Sequence, residues 1–252
     1  MQKKFSIKNR RGLTIRGIID WKGKSYGPLI ILCHGLFGFM EKPVVKNTTK
    51  ALVNAGYTVV RFDATNSVGK SQGTFEKFTV GGYIQDTKKV ISYALKQLGK
   101  NDYSIIGFSI GAMPAYVIAA NDKRMKHMVL QGPTYDLKYE LERENNFLQL
   151  KEKGWAFKYS VGLKKNIKVG FKLYREGIKY KADSYLKKVS CPTLVVYGSK
   201  EHPGTQKNFR ELYRQLKTKK KRIILPNAPH TLVSNKNVGM FTEKSIKWLK
   251  AN

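Results

Sequence analysis

Gly107-Phe108-Ser109-Ile110-Gly111 is the stretch of sequence that decides the fold. It directly follows the apolar run 103–106 and directly precedes the small residues of 112–115. A strand, a Gly-x-Ser-x-Gly turn and a helix form the order that a nucleophile elbow requires, because the turn leaves no space for large side chains. The pattern therefore predicts that Ser109 stands at the tip of a strand. The alternative is an ordinary strand-to-helix loop, since Gly and Ser also fill plain turns.

Strands and helices are predicted to alternate on both sides of this stretch. Alternating or continuously apolar runs predict strands at the N-terminus and at 14–20, 29–33, 58–63, 103–108, 126–132, 193–198 and 221–225. Apolar residues at helical spacing predict helices at 49–54, 80–98 and 238–250. This alternation indicates an α/β fold with a mostly parallel eight-stranded sheet and helices on both faces. The two N-terminal strands have no helix between them, so we expect them to be antiparallel.

The segment 133–188 interrupts the alternation, because it shows no strand pattern and mixes aromatic residues with many lysines. A structureless loop of this length is unusual inside a compact domain. We therefore predict a helical insertion that lies as a lid over the carboxyl ends of the strands, with 1–132 and 189–252 forming the core. The aromatic residues are expected to pack the lid on the core while the lysines face water. The alternative is a role of this mixture at a lipid surface or with acidic substrates.

Composition excludes a disordered chain, since 41% of the 252 residues are hydrophobic. No apolar run approaches the ~18 residues that a membrane-spanning helix needs. The N-terminal lysines are not followed by the apolar segment of a signal peptide. Cys33 and Cys191 are far apart in sequence and lie beside predicted strands, so they are expected to be buried free thiols. These features together predict a cytoplasmic protein.

The formal net charge of +31 raises the question of nucleic-acid binding. The basic residues are mostly lysines spread along the chain, without a basic arm or a helix-turn-helix pattern, so no specific nucleic-acid partner is expected. The densest run, 217–222, is predicted to follow a helix and to stabilise the end of its dipole. A weak attraction to anionic surfaces is expected from the field of the whole chain. The alternative is that lysine-biased codon usage produced the charge.

A second motif, His34-Gly35-Leu36-Phe37-Gly38, follows the predicted buried strand 29–33. An enzyme that attacks a carbonyl with serine must stabilise the resulting oxyanion, and two backbone amides aimed at one point do this. The motifs predict that the amides of Leu36 and Ile110 form this oxyanion hole. His34 is interpreted as a hydrogen-bonding residue of the loop and not as a base.

A catalytic triad needs an acid and a base after the serine in the chain. His230 follows the last predicted strand, which is the position of the base, whereas His127 comes too early and His202 is interpreted as a surface residue. Glu201 follows the strand 193–198 and is the candidate acid. Asp136, after the strand 126–132, is the alternative acid.

These motifs resemble those of the α/β-hydrolase superfamily over nearly the whole chain. The nearest resemblance is to cytosolic cinnamoyl/feruloyl esterases and to hydrolases of the monoacylglycerol-lipase type. It is carried by 34–38, by 61–63 with the glycine-rich loop 69–73, and by 107–111. The loop after Asp63 is a looser version of the family pattern, and in this family it is structural. Glu201 stands where the family normally has Asp, which is a departure from the pattern.

The resemblance and the motifs together predict a serine esterase that acts on a small-molecule carboxylic ester. In this interpretation Ser109 attacks the carbonyl, His230 transfers the proton and Glu201 orients His230. The chemistry requires no metal and no organic cofactor. A thioesterase, an amidase or a serine peptidase on the same fold is the alternative among enzymes, because a fold does not determine the leaving group. A binding protein that retains the fold without catalysis is the alternative outside enzymes.

Overall fold

A sheet of eight strands forms the centre of the structure, a computed structural model that describes residues 1–160 and 162–252. The strands of this part of the chain are β1 (Gln2–Lys8), β2 (Thr14–Asp20), β3 (Leu29–Cys33), β4 (Thr58–Asp63), β5 (Tyr103–Phe108), β6 (Met125–Gln131), β7 (Trp155–Ser160), β8 (Lys165–Gly170), β9 (Thr193–Gly198) and β10 (Lys220–Leu225). The large sheet has the order β1-β2-β4-β3-β5-β6-β9-β10, and β7 and β8 form a separate hairpin. The predicted eight-stranded sheet is therefore confirmed.

The direction of the strands also agrees with the sequence. β1 and β2 are antiparallel to each other, and β2 is antiparallel to β4. From β4 to β10 all neighbouring strands run parallel. Every residue of β3, β4, β5 and β9 is buried, as expected for strands covered on both faces. The carboxyl ends of these parallel strands meet at one edge of the sheet.

Helices cover both faces of the sheet. They are α1 (Pro43–Asn54), α2 (Val80–Leu98), α3 (Ala112–Ala119), α4 (Leu137–Glu142), α5 (Phe147–Lys153), α6 (Lys172–Gly177), α7 (Asp183–Leu186), α8 (Pro203–Gln215) and α9 (Asn235–Ala251). One buried apolar cluster joins the sheet to α2, α3 and α8. A second cluster joins the opposite face to α1 and α9. The predicted two-sided arrangement is confirmed.

Two predicted helix starts were too late in the sequence. α1 begins at Pro43 instead of residue 49. Proline is tolerated at the first position of a helix, because the N–H that it lacks would have no partner there. α9 begins at Asn235 instead of residue 238, and the hydroxyl of Ser234 accepts a hydrogen bond from the amide of Asn237. Such a serine cap satisfies one of the free amides at a helix start.

The segment 133–188 is not entirely helical, which corrects the sequence-based expectation. It contains the short helices α4 to α7, but between α5 and α6 the strands β7 and β8 pair in an antiparallel hairpin. Trp155, Phe157 and Tyr159 alternate with Ala156 and Lys158, a period of two that favours a strand. Lysines on both strands obscured this signal. The division of the chain into core and lid stays a prediction.

The basic run 217–222 lies directly after α8, as expected. The ammonium group of Lys220 donates hydrogen bonds to the carbonyl oxygens of Tyr213 and Leu216 at the end of this helix. A cation there stabilises the negative end of the helix dipole.

Both cysteines are buried free thiols, as predicted. Burial raises the pKa of Cys33 to about 12 and that of Cys191 to about 11. Within the described ranges, no helix is long and apolar enough to cross a membrane.

Candidate active site

The Gly-x-Ser-x-Gly stretch forms a sharp turn between β5 and α3. Ser109 has a φ of 51°, in the left-handed region that side chains other than glycine seldom adopt. Such a conformation costs about 1–3 kcal/mol and persists where the surrounding structure enforces it. A side chain at position 111 would overlap the carbonyl oxygens of Cys33 and His34, and one at 107 would overlap Ala112. The two glycines are therefore required by close backbone contacts, which is the local reason for the motif.

The loop after β3 lies against the serine turn. A Cβ added to Gly35 would lie 3.3 Å from the Cβ of Ser109. The imidazole of His34 is buried within this loop: its Nε2 accepts a hydrogen bond from the amide of Ala64 at 3.2 Å, and its Nδ1 donates to the carbonyl of Gly35 at 2.9 Å. Burial lowers the pKa of His34, so the ring is neutral. These contacts agree with its interpretation as a residue that shapes the loop.

Leu36 lies within the same loop. In the part of the chain that the structure describes, its amide donates no hydrogen bond to another group. Among the described residues, the amide of Leu36 is therefore an unpaired donor in a loop that contacts the serine turn, and its role in an oxyanion hole stays a prediction.

His230 lies in the loop that follows β10, with its ring between Ser109 and Glu201. Its Nε2 is 3.1 Å from the hydroxyl oxygen of Ser109. Its Nδ1 is 2.9 Å from Oε1 and 3.1 Å from Oε2 of Glu201. The side-chain Nε2 of Gln131 donates a hydrogen bond to the carbonyl of His230 at 3.1 Å and links the loop to β6. The three predicted side chains are thus connected in one hydrogen-bonded line.

Backbone contacts between two loops bring Glu201 to His230. The amide of Lys200 donates to the carbonyl of Ala228 at 3.0 Å, and the amide of Asn227 donates to the hydroxyl of Ser199 at 2.8 Å. The carboxylate of Glu201 is buried, with 4% of its side chain exposed. The imidazole of His230 stabilises this buried carboxylate, because an unpaired buried charge is costly.

Asp136 does not contact His230 by any hydrogen bond between described residues. Its carboxylate instead accepts a hydrogen bond from the amide of Tyr139 at 3.0 Å and caps the start of α4. His202 caps α8 through a 3.2 Å hydrogen bond from the amide of Gly204. His127 lies on β6, where its Nδ1 is 3.1 Å from the hydroxyl of Ser104. These three side chains therefore have structural partners of their own.

The pKa of His230 is raised above its ordinary value. Burial lowers this pKa, but the hydrogen bond and the negative charge of Glu201 outweigh burial, and the nearby carboxylate of Glu140 adds to their effect. The environment therefore favours the imidazolium, the form that a base reaches after it has taken a proton.

A cavity of about 450 Å³ opens beside Ser109 and His230. The loop 34–38, the segment 133–188 and the loops after β9 and β10 all contribute to its wall. Its apolar lining includes Leu36, Phe37, Leu137, Leu141, Leu173 and Leu232. Within the described residues, no cluster of three or more His, Cys, Asp or Glu side chains is arranged to hold a metal ion. A cavity of this volume is in the range of small-molecule binding sites.

A family model described as the alpha/beta hydrolase fold matches residues 28–159, which is more than half of the chain. The chain belongs to the alpha/beta hydrolase fold family. The resemblance inferred from the motifs is therefore confirmed.

The chain is also similar to individual proteins of known sequence or structure. It is 25% identical over 227 residues to an uncharacterized 31.7 kDa protein of the traX-finO intergenic region in Escherichia coli, covering 76% of this chain and 79% of that protein. It is 29% identical over 138 residues to the quorum-quenching protein AidA of Acinetobacter baumannii, covering 54% of this chain and 45% of AidA. Est1E from Butyrivibrio proteoclasticus, solved with ferulic acid bound, has a TM-score of 0.86 at 18% identity and covers 98% of both chains. At this identity the last similarity shows the fold.

Glu140 is a cavity residue that the sequence analysis missed. It lies on α4 three residues after Leu137 and one before Leu141, so it shares the face of the helix that those buried leucines occupy. Its carboxylate accepts a hydrogen bond from the hydroxyl of Thr134 at 3.0 Å. Burial raises the pKa of Glu140 to about 7. The signal that could have found this residue is the placement of a carboxylate on the same helix face as two buried leucines.

The close contacts of the turn predict that Gly111→Ala destabilises the protein by about 1–3 kcal/mol, the usual cost of overpacking, and lowers any activity of Ser109. Gly239→Ala is the matched control, because nothing lies within 4 Å of the added Cβ in α9 and alanine favours a helix by about 0.5–1 kcal/mol. Urea denaturation of both variants measures the difference. Equal stability of the two variants would contradict the steric account of the motif.

Proposed function

We propose that this chain is a serine hydrolase that cleaves carboxylic esters through an acyl-enzyme. The observation that carries the proposal is the line of hydrogen-bonding contacts from Ser109 through His230 to the buried Glu201, at 3.1 and 2.9 Å, on the wall of a cavity. A binding protein without catalysis has no need of a strained serine next to an oriented imidazole. Strain at a functional position is a cost that catalysis explains.

The proposed reaction begins when the hydroxyl oxygen of Ser109 attacks the ester carbonyl while Nε2 of His230 takes the hydroxyl proton. The carboxylate of Glu201 stabilises the imidazolium, and the amides of Leu36 and Ile110 donate hydrogen bonds to the oxyanion. The tetrahedral intermediate collapses, and the alcohol leaves with the proton from His230. Water then attacks the acyl-serine with His230 as base, which releases the carboxylic acid and restores the serine hydroxyl.

The cavity supports an ester with an apolar or aromatic acyl group. Its leucine and phenylalanine lining removes apolar surface from water, which contributes about 25 cal/mol per Å². Est1E, which has a similar fold, was solved with bound ferulic acid, an aromatic carboxylic acid. This supports the proposal of an aromatic acyl group for this chain. We propose that the segment 133–188 acts as the lid of this cavity, since Leu137, Leu141 and Leu173 line it.

Replacement of the nucleophile is the first test. Ser109→Ala is expected to lower the hydrolysis of short p-nitrophenyl esters by several orders of magnitude, because the acyl-enzyme cannot form. Ser92→Ala on the exposed face of α2 is the control, since the hydroxyl of Ser92 donates a hydrogen bond to the carbonyl of Lys88 within its own helix. Initial rates of the purified variants give the comparison. Full activity of the Ser109 variant would exclude this serine as nucleophile.

The identity of the acid is tested by two amide substitutions. Glu201→Gln is expected to reduce kcat by about 10²–10⁴, because the amide keeps the shape but does not stabilise the imidazolium. Asp136→Asn is expected to change kcat by less than about twofold, since asparagine caps a helix as well as aspartate does. Steady-state kinetics of the two variants decide between the carboxylates. The reverse ranking would assign the acid to Asp136.

The pH profile tests the electrostatics of His230. The base must be neutral to accept a proton. Because the pKa of His230 is raised, kcat/KM should begin to fall at a higher pH than it would with an ordinary histidine. Glu140 has a pKa of about 7 and raises the pKa of His230 in its charged form, so Glu140→Gln should shift the acidic limb of the profile to lower pH, by less than the loss of a fully ionised carboxylate would. Glu144→Gln is the control, because the carboxylate of Glu144 pairs with Lys158 at 2.6 Å. An unchanged limb in Glu140→Gln, or an equal shift in both variants, would contradict the electrostatic role.

A further inference from the structure

The β7–β8 hairpin presents aromatic side chains to solvent on one of its two faces. Trp155, Phe157 and Tyr159 alternate along β7 and so point to the same side. Phe157 is 51% exposed and Tyr159 is 58% exposed, although both are large and apolar. Leu148, on the neighbouring helix α5, is 69% exposed. The side chains of Trp155, Phe157 and Tyr159 are called the hairpin face below.

The opposite side of the same strand belongs to the cavity. Lys158 lies between Phe157 and Tyr159 in sequence, lines the cavity and pairs with Glu144. Ala156 and Ser160 are buried on that side. A surface that touches the hairpin face therefore lies one strand away from the wall of the active-site cavity.

Lysines are frequent in the segment that carries the hairpin face. The range 147–170 contains six lysines and a single acidic residue, Glu152. Four of these lysines are exposed and form no ion pair with any described residue: Lys151, Lys153, Lys164 and Lys165. Lys168 lies 4.6 Å from the ring centre of Trp155. Lys168 pairs with Glu76 at 2.8 Å, whereas Lys165 lies opposite Ser160 in the hairpin, next to the exposed Tyr159. Unpaired positive charge is therefore present at the end of the strand that carries the exposed rings.

The combination of exposed aromatic residues and lysines helps to decide whether a protein or a lipid surface binds to the hairpin face. Protein interfaces are enriched in aromatic residues but depleted of lysine. Anionic lipid surfaces attract lysines to their headgroups, and Trp and Tyr side chains favour the boundary between water and the acyl chains. The composition of the hairpin face and its border therefore matches a lipid surface better than a protein.

We propose that the hairpin face docks on anionic lipid surfaces, with Phe157 and Tyr159 entering the headgroup boundary and the bordering lysines contacting the headgroups. Docking there brings the cavity next to molecules held in the lipid. The surface is separate from Ser109, His230 and Glu201, so it binds whether or not the chain hydrolyses esters.

Vesicle sedimentation tests the aromatic part of the proposal. The purified full chain is mixed with phosphatidylcholine vesicles that contain phosphatidylglycerol, or with phosphatidylcholine alone. We expect binding to the anionic vesicles only, and a loss of at least about tenfold in partitioning for Phe157→Ser/Tyr159→Ser. Ile224→Ser, at an exposed apolar position on β10, is the control and should bind like the wild type. Equal binding of all three proteins would overturn the proposal.

Two double variants separate the effect of lysines near the hairpin face from the effect of the net charge of the whole chain. Lys164→Gln/Lys165→Gln and Lys217→Gln/Lys219→Gln remove the same number of charges from exposed positions. We expect the first pair to weaken binding to the anionic vesicles more than the second. Equal weakening would show that the net charge acts alone, which overturns the docking site.

Two further readouts test the folding of the aromatic variant and the association of the chain with itself. The far-UV circular dichroism spectrum and the urea unfolding midpoint of Phe157→Ser/Tyr159→Ser should match those of the wild type, which shows that the variant is folded. Size-exclusion chromatography without vesicles is expected to give the same elution for the wild type and this variant. A wild-type dimer that the variant dissolves, without any vesicle binding, would identify the hairpin face as a protein interface and overturn the lipid proposal.

Discussion

The close contact between the serine turn and the end of β3 is the constraint on which the site depends. Gly111 lies directly against the carbonyl oxygens of Cys33 and His34, so the turn after β5 and the end of β3 leave no space for a side chain between them. Ser109 adopts its left-handed conformation within this closely packed turn. The same contact sets the loop 34–38 beside the serine turn. The strained residue thus lies where two buried parallel strands pair.

The remaining side chains of the site come from the other parallel strands of the same edge. Glu201 follows β9 and His230 follows β10, and their loops are joined by backbone hydrogen bonds between 200 and 228 and between 227 and 199. Neither residue needs a long or mobile connection to reach the other. A buried carboxylate then raises the pKa of the imidazole whose hydrogen bond it accepts. Rigid strands provide the geometry, and burial makes the electrostatic effect strong.

The sequence alone predicted the strands of the core correctly, but it did not predict the structure of the segment 133–188. β3, β4, β5 and β9 were predicted with their observed bounds, because continuous apolar runs between turn residues have few alternatives. The hairpin was missed although the aromatic residues of β7 alternate, because the aromatic side of this strand is exposed and the inner side carries Lys158, the reverse of the usual arrangement. Glu140 was missed for a related reason. Its pKa depends on being enclosed by the cavity wall, which no local pattern reports.

The central claim is that His230 activates Ser109, and the rate of fluorophosphonate labelling measures this activation directly. Peptide mass spectrometry of the wild-type chain should locate one adduct, on Ser109. The rate of adduct formation in His230→Ala should be lower by about 10²–10⁴, the usual contribution of a general base. An adduct on another residue, or equal rates in the two proteins, would contradict the account.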